Sequence, residues 1–245
     1  MNRSGTALAT RYSYPPNAFA LCGPDRQADL SWYARTQKPD LGTEEIIAQF
    51  ATLYPYLLLI ADENDEKNPF DPLIVEAYWT GNDLLTAVTP RRFVRHLDET
   101  LKLKGKLNSK NRDALFQKIA HGGLPHHAFH VLNVPTRTGH LPILHTVATM
   151  DACLVNWGIV TEVRPNSLIV RTNPLILNKE KLAFGPPVRR EVKAQGDGDV
   201  IFQKLKTGDW VSYHWGYVCE RLTQNKRWNL EAYTKRALAF ANTHP

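Results

Sequence analysis

The sequence predicts an α+β fold, with an N-terminal all-α helical domain over residues 1–149 and a small OB-like β-barrel with a C-terminal helix over residues 150–245. Three observations predict it. From Asp25 to about His121 the apolar residues recur three and four apart, the spacing of a helix face. After Met150 they alternate with polar residues, the spacing of half-buried strands. No helix-length pattern returns until "RWNLEAYTKRALAFAN" near the end. A chain of 245 residues with 43% apolar residues can build a core in each part.

The helices take their ends from capping chemistry. In "GTEEIIAQFATLYPYLLLIADEN" Thr43 is the expected N-cap, and Glu44 and Glu45 in the first turn suit the positive end of the helix dipole. In "DPLIVEAYWTGNDLLTAV" Asp71 is the N-cap and Pro72 the first helical residue, where a missing N–H costs nothing. "TPRRFVRHLDETLKLKG" and "NSKNRDALFQKIAHGG" each begin on a capping side chain and end at glycine. The expectation is a bundle of four or five helices.

In the second half, "GIVTEVRPNSLIVRTNPLIL" folds as a hairpin about Pro165-Asn166-Ser167, and "PVRREVKA" and "DWVSYHW" continue as short strands. The boundary falls at residues 148–152, without a low-complexity linker, so the two parts are expected to pack directly.

Composition narrows the classes. The longest apolar run, "YPYLLLIA", is far short of a membrane span, and mean hydropathy is −0.36. No apolar segment follows the N-terminal arginine, so a cytoplasmic location is expected. The three cysteines, Cys22, Cys153 and Cys219, point away from a disulfide framework. The net charge of +6 is spread over short clusters and is weak support for a nucleic-acid partner. No Gly-rich phosphate loop or GxSxG elbow is present.

Chemistry concentrates at Cys153 in "DACLVNWGIV" and His214 in "TGDWVSYHWGYVCERL". In a five-stranded barrel, residues this far apart in sequence can meet at one rim. A thiolate with a neutral imidazole is a ligand pair for iron, zinc or copper, and two ligands are too few for a closed structural zinc site. The ordinary alternative is a small buried cysteine and a half-buried strand histidine.

From Ala152 to the C-terminus the sequence resembles the HypC-type hydrogenase-maturation chaperones. The resemblance rests on "CLVNWGIVTEV", on Arg189 to Val192 in "VRREVKA", and on "TGDWVSYHWGYVCERL" at Gly208, Asp209, Val211, His214, Gly216, Glu220, Arg221 and Leu222. It implies an iron-carrying protein: Cys153 would be the thiolate ligand of an Fe(CN)2CO precursor, His214 its neighbour or second contact. The implied partners are a HypD-like maturation protein and the large subunit of a nickel-iron hydrogenase. In this chain the cysteine is internal, and Trp157 stands where the family has proline. The segments "YPPNAFALCGPD" and "VEAYWTGNDLL" resemble an uncharacterised bacterial protein family, which implies no activity.

A second candidate site is the histidine-rich junction, "HGGLPHHAFHVLNV" with "GHLPILHTV", which holds His121, His126, His127, His130, His140 and His145. If Pro125 opens a helix, His126 and His130 share a face while His127 lies about 100° away. That pair could hold a second metal, with His145, Glu76 or Cys22 completing it. Packing at a domain boundary is the plainer role.

Two further classes stay open. An OB-like barrel could bind single-stranded nucleic acid through Trp157, Trp210, Tyr213, Trp215 and Trp228. A metal- or haem-dependent enzyme could use the histidine cluster, for example to supply a diatomic ligand.

Overall fold

Helices fill the first half of the chain and a β-barrel the second, and a last helix returns to the first half. The computed structural model describes residues 3–136 and 145–243. The helices are α1 (Ser4–Ala18), α2 (Gln27–Thr36), α3 (Leu41–Ala48), α4 (Leu53–Asp62), α5 (Pro72–Trp79), α6 (Pro90–Arg95), α7 (Ser109–Ala120), α8 (His127–Asn133), α9 (Val147–Cys153) and α10 (Gln224–Ala241). The strands are β1 (Asn156–Val163), β2 (Ser167–Thr172), β3 (Leu175–Asn178), β4 (Lys181–Phe184), β5 (Val188–Lys193), β6 (Trp210–His214) and β7 (Tyr217–Arg221). The fold is α+β, as the two periodicities predict.

Several caps form as read: Asp71 accepts from Leu73 N ahead of Pro72, Thr89 from Arg92 N, and Asn108 from Asn111 N. One expectation is corrected. Thr43 is the N3 partner rather than the N-cap of α3; Asp40 caps the helix and forms a capping box with it, because a carboxylate is free to accept the exposed N–H. The apolar stretch beyond Thr43 divides into α3 and α4 around Gln49–Thr52 rather than running as one helix.

Helix α1 lies before the stretch whose spacing reads as helical. Gly5, Thr6, Ala9, Thr10 and Ser13 are buried along it, and the hydroxyls of Thr10 and Ser13 donate to the carbonyls one turn back at 2.8 Å each. Small and back-bonded residues hide the helix from an apolar scan. They also let it pack closely: a Cβ on Gly5 would sit 2.0 Å from the Phe70 carbonyl oxygen. Arg11 is the buried peg. Its guanidinium donates to Asp199 Oδ1 (2.7 Å) and to the carbonyls of Cys219 (2.6 Å), Val218 (2.8 Å) and Ala34 (3.1 Å), so α1 is joined to α2 and to β7 at once. Burial of that charge is tolerated because each guanidinium nitrogen donates to an oxygen, one of them a carboxylate.

The barrel closes in the order β1-β2-β5-β7-β6, with β6 back on β1 and β5 parallel to β7. This is an OB-like Greek-key barrel. Val160, Val170, Val192, Val211 and Val218 point into it together with Leu168, Phe202 and Tyr213. Strands β3 and β4 form a separate hairpin inserted between β2 and β5, with Lys179 and Glu180 at positive φ in its two-residue turn.

The parts share a core. Helix α9 spans the expected boundary, and Met150, Leu154, Val155, Cys219, Leu222, Leu230 and Ala237 belong to the same apolar cluster as the N-terminal helices. Helix α10 packs on α8, where Asn133 Nδ2 donates to the Ala237 carbonyl (2.9 Å), and Tyr233 donates to the Asn82 carbonyl (2.8 Å). Among the described residues no helix is long and apolar enough to cross a membrane.

Candidate metal centre

Cys153 is the last residue of α9, and the barrel holds that helix end in place. Asp151 accepts the Leu175 N–H (2.8 Å) and an Arg190 N–H (2.8 Å), while Asn156 donates to the Asp151 carbonyl (2.6 Å). His214 ends β6. The turn to β7 has both Trp215 (φ 50°) and Gly216 (φ 77°) in the left-handed region, as a two-residue hairpin turn requires. Trp215 N donates to the Ala152 carbonyl at 2.9 Å, which seats the hairpin tip against the end of α9 and sets His214 beside Cys153.

The helical half supplies a third side chain. His127 opens α8, and the ligand atoms of His127, Cys153 and His214 lie within 4.8 Å of one another. His127 and His214 are buried and Cys153 is half-buried. The two rings meet edge-on, with centroids 5.3 Å apart, and Trp79 from α5 packs against both, at 4.5 Å and 5.5 Å.

Hydrogen bonds decide which nitrogen of each neutral ring carries the proton. His214 Nδ1 lies 2.7 Å from the Tyr12 carbonyl, which can only accept, so Nδ1 is protonated and Nε2 holds the lone pair. His127 Nε2 lies 2.7 Å from the Cys153 carbonyl, so here Nε2 is protonated and Nδ1 holds the lone pair, accepting from the Tyr78 hydroxyl at 3.2 Å. A carbonyl on the far nitrogen is the usual device that orients a metal-binding imidazole. Burial pushes the His127 pKa well below its ordinary value, with nearby His214 acting in the same direction, which keeps the ring neutral at pH 7.

The three side chains line a small cavity of about 80 Å³ with mainly apolar walls that include Phe50, Leu53, Val131 and Val134. This is room for a small molecule or several waters. The donor set fits a late first-row divalent metal such as iron or zinc. Three protein ligands leave a coordination position for an outside ligand.

The other predicted residues separate. His126 and His130 do not form a pair on one face. Helix α8 starts one residue after His126, whose own Nδ1 caps it by accepting from Ala128 N (3.2 Å), and the His126 ring stacks on Tyr233 of α10. His130 lines the cavity and pairs through Nδ1 with the Tyr56 hydroxyl at 2.9 Å. His145 and Cys22 are also on the cavity wall. Glu76 instead forms an ion pair with Lys226 at 3.1 Å, and His140 lies outside the described residues.

Sequence reading missed Tyr78, Trp79 and the Tyr12 carbonyl; the aromatic doublet in "VEAYWTG" was the one signal available. Of the aromatics considered for base stacking, Tyr213 is buried in the barrel, Trp157 packs on Phe184, and Trp210 lies under the Arg227 guanidinium. Trp228 is exposed.

All of residues 1–245 match the model of a family of unknown function, DUF6390. The chain belongs to the DUF6390 family. The DUF6390 match spans the helices, the barrel and α10 together, so all three side chains of the centre fall within it. No curated protein and no solved structure matches the chain.

Proposed function

We propose that this protein is an accessory factor of nickel-iron hydrogenase maturation, working in the cytoplasm, that binds the Fe(CN)2CO iron precursor as cargo through Cys153 and His214. It would receive or deliver that cargo by docking to a HypD-like maturation protein or to the hydrogenase large subunit. One observation carries the reading: Cys153 and His214, far apart in sequence, lie side by side at the barrel rim. Both lie within the segments in which the sequence resembles the HypC-type chaperones. Soft thiolate sulfur suits low-spin iron with strong-field ligands, and the imidazole adds a borderline nitrogen donor. On this reading the protein is an assembly factor and not a turnover enzyme.

The test is infrared spectroscopy with iron analysis on protein purified anaerobically after co-expression with the maturation partners. Carbon monoxide and cyanide stretching bands are expected in the wild type and absent in Cys153→Ala. Their absence from wild-type protein, with partner expression verified, would overturn the reading.

A second reading is favoured by the apolar cavity that opens on the same side chains. A metal-dependent enzyme acting on a small or diatomic molecule would need such a chamber. It predicts turnover by the metal-loaded protein without any maturation partner.

A further inference from the structure

We infer that His127 makes the site a three-ligand centre, in which His127 Nδ1, Cys153 Sγ and His214 Nε2 together hold one late first-row divalent metal ion within the chain itself. The inference deepens the proposed iron-binding role but does not depend on hydrogenase maturation. Its basis is convergence. Helix α8 of the helical half and the two barrel elements bring one donor each to within 4.8 Å of the others.

The required movement is small. Ligands on a tetrahedral metal with bonds of about 2.0–2.3 Å sit roughly 3.3–3.8 Å apart, so side chains whose ligand atoms lie within 4.8 Å of one another must close by about 1.5 Å at most. In each ring a hydrogen bond on one nitrogen selects the other as the donor. The protons on His214 Nδ1 and His127 Nε2 are held by the carbonyls of Tyr12 and Cys153, which leaves the opposite nitrogens as donors. His127 is tied to the backbone of Cys153, so the third donor is fixed to the cysteine it would assist. The metal would replace the Tyr78 hydroxyl as the partner of His127 Nδ1.

The consequence is a change in kind. Two ligands form a hand-over site that releases metal readily; three ligands, two of them buried, around an apolar cavity form a site that retains it. The helical half, whose histidines the sequence offered as a separate second metal site, then supplies the donor that converts one into the other.

Cobalt(II) titration of the full-length, metal-free, reduced protein tests this without any maturation partner. One cobalt per chain is expected, with a thiolate-to-cobalt charge-transfer band that Cys153→Ser abolishes. His127→Gln should weaken binding by on the order of 100-fold, since losing even an outer partner of a ligand costs about 10–100-fold. His121→Gln, on the exposed end of α7, should leave binding unchanged.

Thermal melts of the metal-free proteins show whether each variant folds. X-ray absorption of the cobalt-loaded wild type gives an answer that needs no variant: one sulfur and two imidazoles are expected. A single imidazole in that spectrum, or wild-type affinity in folded His127→Gln, would overturn the inference. Cobalt bound by all three residues in a protein that never shows carbon monoxide or cyanide bands would sustain this inference and sink the maturation role. Bands that persist in His127→Gln would do the reverse.

Discussion

The Tyr12 carbonyl accepts the Nδ1–H of His214 at 2.7 Å, across 202 residues of chain. The first helix therefore sets the orientation of a side chain in the last hairpin.

This contact and its counterpart at His127 predict opposite tautomers in the metal-free protein. In ¹⁵N-detected histidine spectra at pH 7, His214 should appear as the Nδ1–H form and His127 as the Nε2–H form. Identical tautomers would contradict the assignment of donor nitrogens.

Arg11 should be among the costliest single positions. Replacing it with methionine leaves Asp199 buried beside several unmet carbonyls, and urea unfolding should show a loss of about 3–5 kcal/mol. A loss below about 1 kcal/mol would mean that the clamp contributes little net stability.

Stability should fall in mild acid. Burial lowers the pKa of His96 to about 4 and of His126 to about 3, and shifts His127 the same way. The folded state disfavours the protonated rings, so their stabilising effect is complete above about pH 6.5 and is lost as pH drops towards 3–4. Between pH 6.5 and 5, above the carboxylate range, the slope should approach about 1.4 kcal/mol per pH unit for each such histidine. His126→Asn keeps a capping side chain and should flatten that slope in urea titrations.

Two glycine substitutions should fail for different reasons. Gly5→Ala forces a Cβ against backbone and should distort the packing of α1, lowering stability by about 1–3 kcal/mol or more. Gly216→Ala meets no neighbour but must hold φ near 77°, costing about 1–2 kcal/mol. Only the second should act chiefly on the hairpin tip, which NMR shifts at His214 and Trp215 would register.

Cys219 should resist alkylation in the native state. It is fully buried, and burial pushes its thiol well up, against the partly offsetting Arg11 guanidinium. Mass spectrometry after brief iodoacetamide treatment should find it modified only in unfolded protein.

The barrel was legible because its inward valines, Val160, Val170, Val192 and Val211, sit at strand spacing. The Cys153–His214 pairing was readable only together with the resemblance, since spacing leaves many rim pairs open. Other features left little signal. Helix α1 is packed through small and hydroxyl side chains, and the β3–β4 turn uses Lys179 and Glu180 where glycine or asparagine would announce it. At the histidine junction a single residue decided the outcome. Because His126 caps α8 instead of joining it, His127 and not His126 reaches the barrel, a rotation of about 100° that periodicity alone does not fix.

The centre also has a timing built into it. Its orienting carbonyl comes from residue 12, its aromatic wall from residues 78 and 79, and its donors from residues 127, 153 and 214. A ribosome must therefore translate the chain through β6 before the third donor exists, and through α10 before the helix that packs on α8 can fold back. Nascent or truncated chains carry scattered histidines and cysteines but no assembled pocket. If the site binds metal as proposed, capture would be reserved for finished molecules, and a stalled product would lack the site that withdraws metal from the cell.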